Sequence, residues 1–334
     1  MLKLRPDAVL FVGDLADGDL RLTRRITQLP FPVAVILGNH DRGRDRSGGI
    51  LEQQLAVLGD LHCAWGDADE QLLQRIKPDA VLFVGDLADG DLRLTRRITQ
   101  LPFPVAVILG NHDRGRDRSG GILEQQRAVL GDLHCAWRSI QWLELPLTVV
   151  GARPCSAGGG FHLSKAVEAV YGPVSLEASA ERIVQAAADV PADQPLIVMA
   201  HCGPSGLGSE AASPCGRDWK TPAVDWGDQD LALALDRMAK DRPADLVIFG
   251  HMHHALKRGS GFRQTLLRHR HGTALINAAC VPRSGVDGQG RTLLHLSWAE
   301  FQGARLTQLA HRWYTPDAEL IHQEQLPIDA PLPC

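Results

Sequence analysis

The sequence is short of the features that would place it in a membrane, outside the cell or on nucleic acid. No apolar run approaches the ~18 residues that a membrane span needs. Segments such as Val33–Leu37 and Leu196–Ala200 have the length of buried strands instead. Near the N-terminus the apolar stretch Ala8–Val12 is too short for a secretory core, and Asp14 interrupts it. Seven cysteines form neither a CxxC pair nor a dense framework, so a reduced, cytoplasmic setting is expected. An excess of one charge is also lacking. Lys and Arg number 35 against 39 Asp and Glu, and a net charge of −4 exerts no general pull toward nucleic acid or membrane. Aromatic residues are scarce at 5%, but 44% hydrophobic and 22% charged residues make an ordinary globular balance, which excludes wholesale disorder.

What the chain does have is a repeat. Residues Pro6–Trp65 recur as Pro78–Trp137 at an offset of 72, and the only difference is Leu55 against Arg127. Solenoid repeats are shorter, more numerous and divergent. Near-identity over this length points instead to a recent tandem duplication or an error in gene assembly. The full 334 residues suggest two domains. Without one 72-residue unit, 262 residues remain, which suits one large α/β domain.

Pattern within the second copy supports that class. Pro78–Gly85 reads as a buried strand, Leu92–Gln100 as a short amphipathic helix, and Val105–Leu109 as a second buried strand after Pro102 and Pro104. Downstream, Leu147–Gly151, Leu196–Ala200, Leu246–Phe249 and Thr273–Ile276 repeat the strand pattern, with helices predicted over Ala178–Asp189 and Asp228–Lys240. Polar or Gly-rich tips follow the strands, where open α/β sheets place their ligands.

Five of those tips carry the chemistry: Gly59-Asp60-Leu61-His62, Gly85-Asp86, Gly110-Asn111-His112-Asp113, Ala200-His201-Cys202-Gly203 and Gly250-His251-Met252-His253. Any one alone reads as a turn or a helix cap. Together, Asp and Asn oxygens mixed with several imidazoles suit borderline divalent ions such as Mn, Fe, Co, Ni or Zn. No cysteine is spaced for a closed structural zinc site.

The ordered series DxH, GD, GNHD, H, GHxH resembles the calcineurin-like metallophosphoesterase family, over about Leu55 to Pro282. The third motif ends in Asp113 where Glu is commoner in the family. The resemblance implies a four-layer αββα sandwich of two mixed β-sheets and a dinuclear metal site. Asp60, His62 and His253 would hold one ion, Asn111, His201 and His251 the other, and Asp86 would bridge them. It further implies hydrolysis of a phosphate ester by a metal-bridging hydroxide, with His112 on the phosphate or the leaving group and Asp113 orienting its imidazole. Two divalent metals (Mn, Fe, Zn or Ni) and a phosphorylated substrate are the expected cofactors and partner, with nucleic acid and membrane not expected. A non-catalytic metal-binding scaffold on the same fold is the alternative.

The duplication creates decoys. Asp14, Asn39 and His40 copy the second and third motifs, and Asp132-x-His134 copies the first. Only Asp60, Asp86, Asn111 and His112 read forward in family order. Residues 55–330 are therefore expected to form the working domain, behind a redundant 1–54 segment in which 6–54 duplicates 78–126, with 331–334 a frayed tail. Three outcomes are open for the surplus piece: disorder, docking on a sheet edge, or displacement of the second copy, including within a swapped dimer.

Weaker features have plainer readings. Gly203–Gly227 is a solvated connection or an overhang that shapes substrate choice. Gly158-Gly159-Gly160 lacks the Lys and Ser/Thr of a P-loop and reads as a turn. The basic stretch Lys257–His271 reads as a connector. Asn277 and Arg283 are candidates to approach phosphate as well as turn and surface residues, and Cys202 reads as a small packing residue.

Overall fold

The computed structural model describes residues 9–12, 33–36, 52–142, 145–258, 260–269 and 271–328. The chain divides into two compact units, Met1–Leu51 and Glu52–Cys334. In the first, β1 (Val9–Val12) and β2 (Val33–Ile36) pair in parallel with Val9 opposite Val33. The decoys Asp14, Asn39 and His40, and the tail from Ala330, lie outside the described residues.

The second unit opens on β3 (Glu52–Leu58), α1 (Asp67–Ile76), β4 (Ala80–Phe83), α2 (Leu92–Ile98) and β5 (Val105–Val107). After α3 (Gly121–Leu130) come β6 (Ser139–Trp142), β7 (Leu145–Gly151), α4 (Lys165–Tyr171) and α5 (Leu176–Ala187). Then follow β8 (Leu196–Cys202), α6 (Gln229–Met238), β9 (Leu246–Gly250), β10 (Leu266–Arg268) and β11 (Ala274–Asn277). The chain closes with β12 (Ser284–Val286), β13 (Thr292–Gln302), β14 (Arg305–Tyr314) and β15 (Leu320–Gln325). Copy two repeats the pairing of copy one: Val81 of β4 lies opposite Val105 of β5, each 72 positions beyond Val9 and Val33.

Two mixed sheets result. One has the order β15-β14-β13-β3-β4-β5, with β12 on β13, and the other β10-β11-β9-β8-β7-β6. Strands β3, β4 and β5 run parallel, as do β7, β8, β9 and β11. Their C-terminal ends therefore gather along one edge of each sheet. Strand alternation sorts the core. Leu55, Val57, Leu82 and Ile108 meet Val149, Ile197, Ile248 and Ile276 between the sheets. Ala56, Leu58, Val81 and Phe83 face the other way, onto Leu72, Leu73, Ile98 and Leu123 of the helices. Ile183 of α5 and Leu235 of α6 cover the far side of the second sheet with Val198 and Val247. The layers are thus helices, sheet, sheet, helices, the four-layer α/β sandwich that the motif series implied. No helix among the described residues is long and apolar enough to cross a membrane.

The duplication produces one string with two structures. Glu52–Leu58 is a strand, whereas its counterpart Glu124–Leu130 lies in helix α3. As a strand, EQQLAVL buries Leu55 and Val57 toward the second sheet. As a helix, EQQRAVL buries Gln126 and Leu130 and leaves Arg127 on the rim. There it pairs with Glu124 at 2.9 Å and lies over the Tyr171 ring. Neither pattern dominates in isolation, so tertiary contacts decide. The single difference in the repeat matches this division, because Leu55 is fully buried and Arg127 is not.

Segments left open by pattern are tightly built. Residues 203–227 form a loop closed at its base by the Asp228 N–H to Gly203 O and the Ser205 N–H to Asp228 O. Arg263 supports it from beneath by donating to the carbonyls of Ala211, Ser213 and Gly216. The buried Arg153 holds Asp228 at 2.6 Å and Asp230 at 3.1 Å. Glycines 158–160 have positive φ, and Gly158 and Gly159 lie against Trp226. Cys202 is buried, in keeping with a packing role.

The two contexts predict opposite tolerances. Leu55→Arg places a charge between the sheets and should lower unfolding free energy by at least about 3 kcal/mol. Arg127→Leu should change it by no more than about 1 kcal/mol. Chemical denaturation of the two variants checks this, and equal effects would show that the shared string does not discriminate as described.

Candidate metal centre

Every motif sits just past the C-terminal end of a parallel strand, or in its last residues. Asp60 and His62 follow β3, Asp86 follows β4, and Asn111 to Asp113 follow β5. From the second sheet, His201 lies near the end of β8, and His251 and His253 follow β9. Backbone there is bent away from strand geometry, with φ of +50° at Asp60, +49° at Asp86 and +67° at His251. Such left-handed conformations are uncommon outside glycine and cluster at functional sites. Two glycines are required by closeness. A Cβ on Gly110 would collide with the Asp86 carboxylate and backbone, and one on Gly250 with the Asp60 carboxylate.

The two buried carboxylates are held in the same way. Asp60 Oδ2 accepts from the His251 N–H at 2.9 Å, and Asp86 Oδ1 accepts from the His112 N–H at 2.8 Å. Their other oxygens are left for the cluster. Asp60 Oδ1 is buried with no hydrogen-bond partner and lies 3.8 Å from His253 Nε2. Asp86 Oδ2 lies 3.4 Å from His201 Nε2 and 4.0 Å from both His62 Nε2 and His112 Nε2. His62 Nε2 and His253 Nε2 approach to 3.4 Å. His201 Nδ1 is tied to the Val84 carbonyl at 2.9 Å, which turns Nε2 inward, beside Asn111 Oδ1 at 3.0 Å.

Three groups of ligand atoms result, each spanning no more than 4.8 Å: Asp60/His62/His253, His62/Asp86/His112 and Asp86/His201/His251. His62 and Asp86 are shared, so the groups form one continuous cluster. An orphaned buried carboxylate oxygen facing imidazoles is a cation's environment, and O/N donors suit borderline divalent ions. The residues fit two ions, one in the first group and one in the third, with Asp86 between.

Charge balance without ions shows the same demand. Burial and the neighbouring Asp86 charge push the Asp60 carboxyl up to about 8 despite nearby His201. Burial also raises Asp86, but the charge of His201 and its hydrogen bond outweigh this and hold the carboxyl below its ordinary range. Burial would lower His201, yet Asp86 drives it up to about 10. Burial takes His251 down to about 3 and His253 to about 4, so both present neutral imidazoles near neutral pH.

The residue expected to orient His112 is elsewhere. Asp113 is fully buried, and its carboxylate accepts from the backbone N–H groups of Leu87, Ala88 and Gly110 at 2.8, 3.3 and 2.8 Å. It locks the second motif's loop to the third rather than touching an imidazole. Burial and Asp86 push its carboxyl up to about 7. The acid beside His112 is Asp89, 3.0 Å from Nδ1 and 3.8 Å from His62 Nδ1. The D-x-x-D spacing from Asp86 to Asp89 was the available signal. His112 itself is half-exposed, at the mouth of the cluster.

Asn277 and Arg283 do not approach this cluster. Asn277 is buried, donates to Met252 O and accepts from the Ala279 N–H. Arg283 is buried against Asp69 at 2.6 Å and donates to Ala64 O. The decoy Asp132 is exposed, and His134 is buried between Val107 O and the Tyr171 hydroxyl. Neither reaches the metal groups.

The sequence profile of the calcineurin-like phosphoesterases matches residues 53–255, more than half of the chain. No curated protein matches by sequence. Among solved structures, a dimetal phosphatase from Danio rerio is similar at 11% identity and TM-score 0.47, covering 82% of this chain and 98% of that one. A Thermus thermophilus protein matches at 12% identity and TM-score 0.46, over 74% and 94%. An inner-membrane-complex anchor of Plasmodium matches at 13% and 0.43, over 82% and 88%.

Because Asp60 and His201 carry protons near neutral pH without ions, metal uptake must expel them. Calorimetric titration of the metal-free protein with Mn(II) should show proton release and an affinity that rises from about pH 6 to 8. Affinity independent of pH would contradict the charge balance described.

Proposed function

The chain belongs to the calcineurin-like phosphoesterase family, and we propose that it hydrolyses a phosphate ester at the cluster of Asp60, His62, Asp86, Asn111, His201, His251 and His253. The observation that carries this reading is the buried, unpartnered Asp60 Oδ1 facing His253, in a cluster of ligand atoms that continues through His62 to Asp86 and His201. Two divalent ions held there would supply Lewis acidity toward phosphoryl oxygens and an activated water.

The chain's own groups have distinct roles in this proposal. Asp60, His62 and His253 would hold one ion and Asn111, His201 and His251 the other, with Asp86 available to both. His251 and His112 contribute in two ways, because their backbone N–H groups also fix the two carboxylates. Positioning of this kind fixes donor orientation before substrate arrives. The His112 ring faces solvent at the mouth, where it meets the phosphate or donates a proton to the departing oxygen. Asp89 accepts at Nδ1, keeping Nε2 aimed across the cluster toward Asp86.

Copy one takes no part in this proposal, since every residue named lies in the unit that starts at Glu52. β3 begins at that residue, upstream of Leu55, so the boundary for removing the leader is 51/52.

Four proteins test the reading on a panel of aryl phosphomonoesters and diesters with Mn, Fe, Zn and Ni. Asp86→Ala should lose the ions of this cluster and activity together. His112→Ala should keep its metal and lose about 10²- to 10⁴-fold in kcat. A protein lacking residues 2–51 should match the full chain. Asp86→Ala with full metal and activity would refute the site. Full metal content in the parent without hydrolysis of any ester would favour a scaffold.

A further inference from the structure

A second group of metal-ligating side chains, starting at the residue after His253, is not used by the hydrolytic reading. His254, Cys280 and His295 bring one ligand atom each to within 4.8 Å of the others. They come from three elements: His254 from the segment after β9, Cys280 from the segment after β11, and His295 from β13. By alternation His295 shares the side of β13 that Ala299 and Phe301 turn to the opposite sheet. The group therefore spans the two sheets at their ligand-bearing end.

Each member is prepared for coordination. His254 Nε2 lies 2.8 Å from the Asn277 carbonyl, so it carries the hydrogen and leaves the Nδ1 lone pair free. Asn277 is itself fixed by Met252 O and the Ala279 N–H, which gives the ring a braced partner. His295 is 3% exposed, and its ring makes no hydrogen bond among the described residues. Burial and neighbouring histidines hold it well below its ordinary range, as a neutral imidazole. The Cys280 thiol is buried, with only a long 3.7 Å contact to Pro282 O. His311 packs beside both rings, but Ser297 and Thr265 occupy its two nitrogens at 3.0 Å each. The nearby Arg283 charge is balanced by Asp69.

We propose that His254 Nδ1, His295 and Cys280 Sγ form a third metal site, for a thiophilic ion such as Zn(II) that joins the two sheets. One sulfur and two nitrogens differ from the O/N donors of the first cluster, so the two sites select ions by different chemistry. Binding replaces the Cys280 S–H bond with a sulfur–metal bond and releases one proton. Burial, which pushes the free thiol up to about 12, makes that release part of uptake.

Titration of the metal-free full-length protein with Co(II) tests the site, because a thiolate–cobalt bond adds a near-ultraviolet charge-transfer band that O/N ligation lacks. The parent should bind three equivalents, one of them with the band. Cys280→Ser should lose the band and keep two equivalents. His295→Gln, which retains the thiol, should weaken the banded equivalent at least about tenfold. Asp86→Ala should keep the band, so the outcome is separate from that of the hydrolytic reading. No band in the parent, a band retained in Cys280→Ser, or one unmoved in His295→Gln would overturn the site.

Discussion

Two carboxylates buried at the ends of adjacent parallel strands set the terms for the rest of this molecule. An unpaired carboxylate inside a protein costs several kcal/mol or takes up a proton. Asp60 and Asp86 are too close together and too deeply buried for both to stay ionised alone. The fold answers with what surrounds them: two backbone N–H groups, a ring of imidazoles and, in the proposed working state, two cations. Parallel topology makes this practical. It brings the C-terminal ends of β3, β4 and β5 to one edge and those of β8 and β9 to the facing edge, so ligands far apart in sequence converge without long loops. The close fit explains the glycines that open the motifs, since Gly110 and Gly250 each lie against a carboxylate from another strand.

Much of this was legible in the sequence, for a physical reason. Short β-branched runs followed by Gly-Asp or Gly-His report strand ends directly, and the order of the five motifs points to Asp86, Asn111 and His112, which lie with the other motif residues in the structure. What pattern could not show was orientation. Asp113 follows His112 in the chain, but its carboxylate turns inward onto three backbone N–H groups. The acid beside His112 is Asp89, whose role depends on the turn after Asp86. The long C-terminal strands β13 to β15 carry polar residues on both faces and do not read as buried runs. The His254–Cys280–His295 group draws on three distant elements, and no spacing rule connects them.

The duplication adds a lesson about context. In copy one the string that ends in Asp60-x-His62 is a strand leading into the metal cluster. In copy two the same string is a helix ending on a buried structural histidine, His134. Local propensity is shared, so the choice comes from what each copy packs against. Leu55 completes the layer between the sheets, and Arg127 rests on Tyr171 beside Glu124. The one position at which the copies differ is the one where the two environments make opposite demands.

On the proposed function, the Asp60 and Asp86 carboxylates serve two cations with Asp86 available to both. Anomalous diffraction from crystals of the Mn-loaded protein tests it most directly. Two peaks are expected, one among Asp60, His62 and His253 and one among Asn111, His201 and His251, with Asp86 contacting both. Fewer than two peaks in contact with Asp86 would contradict it.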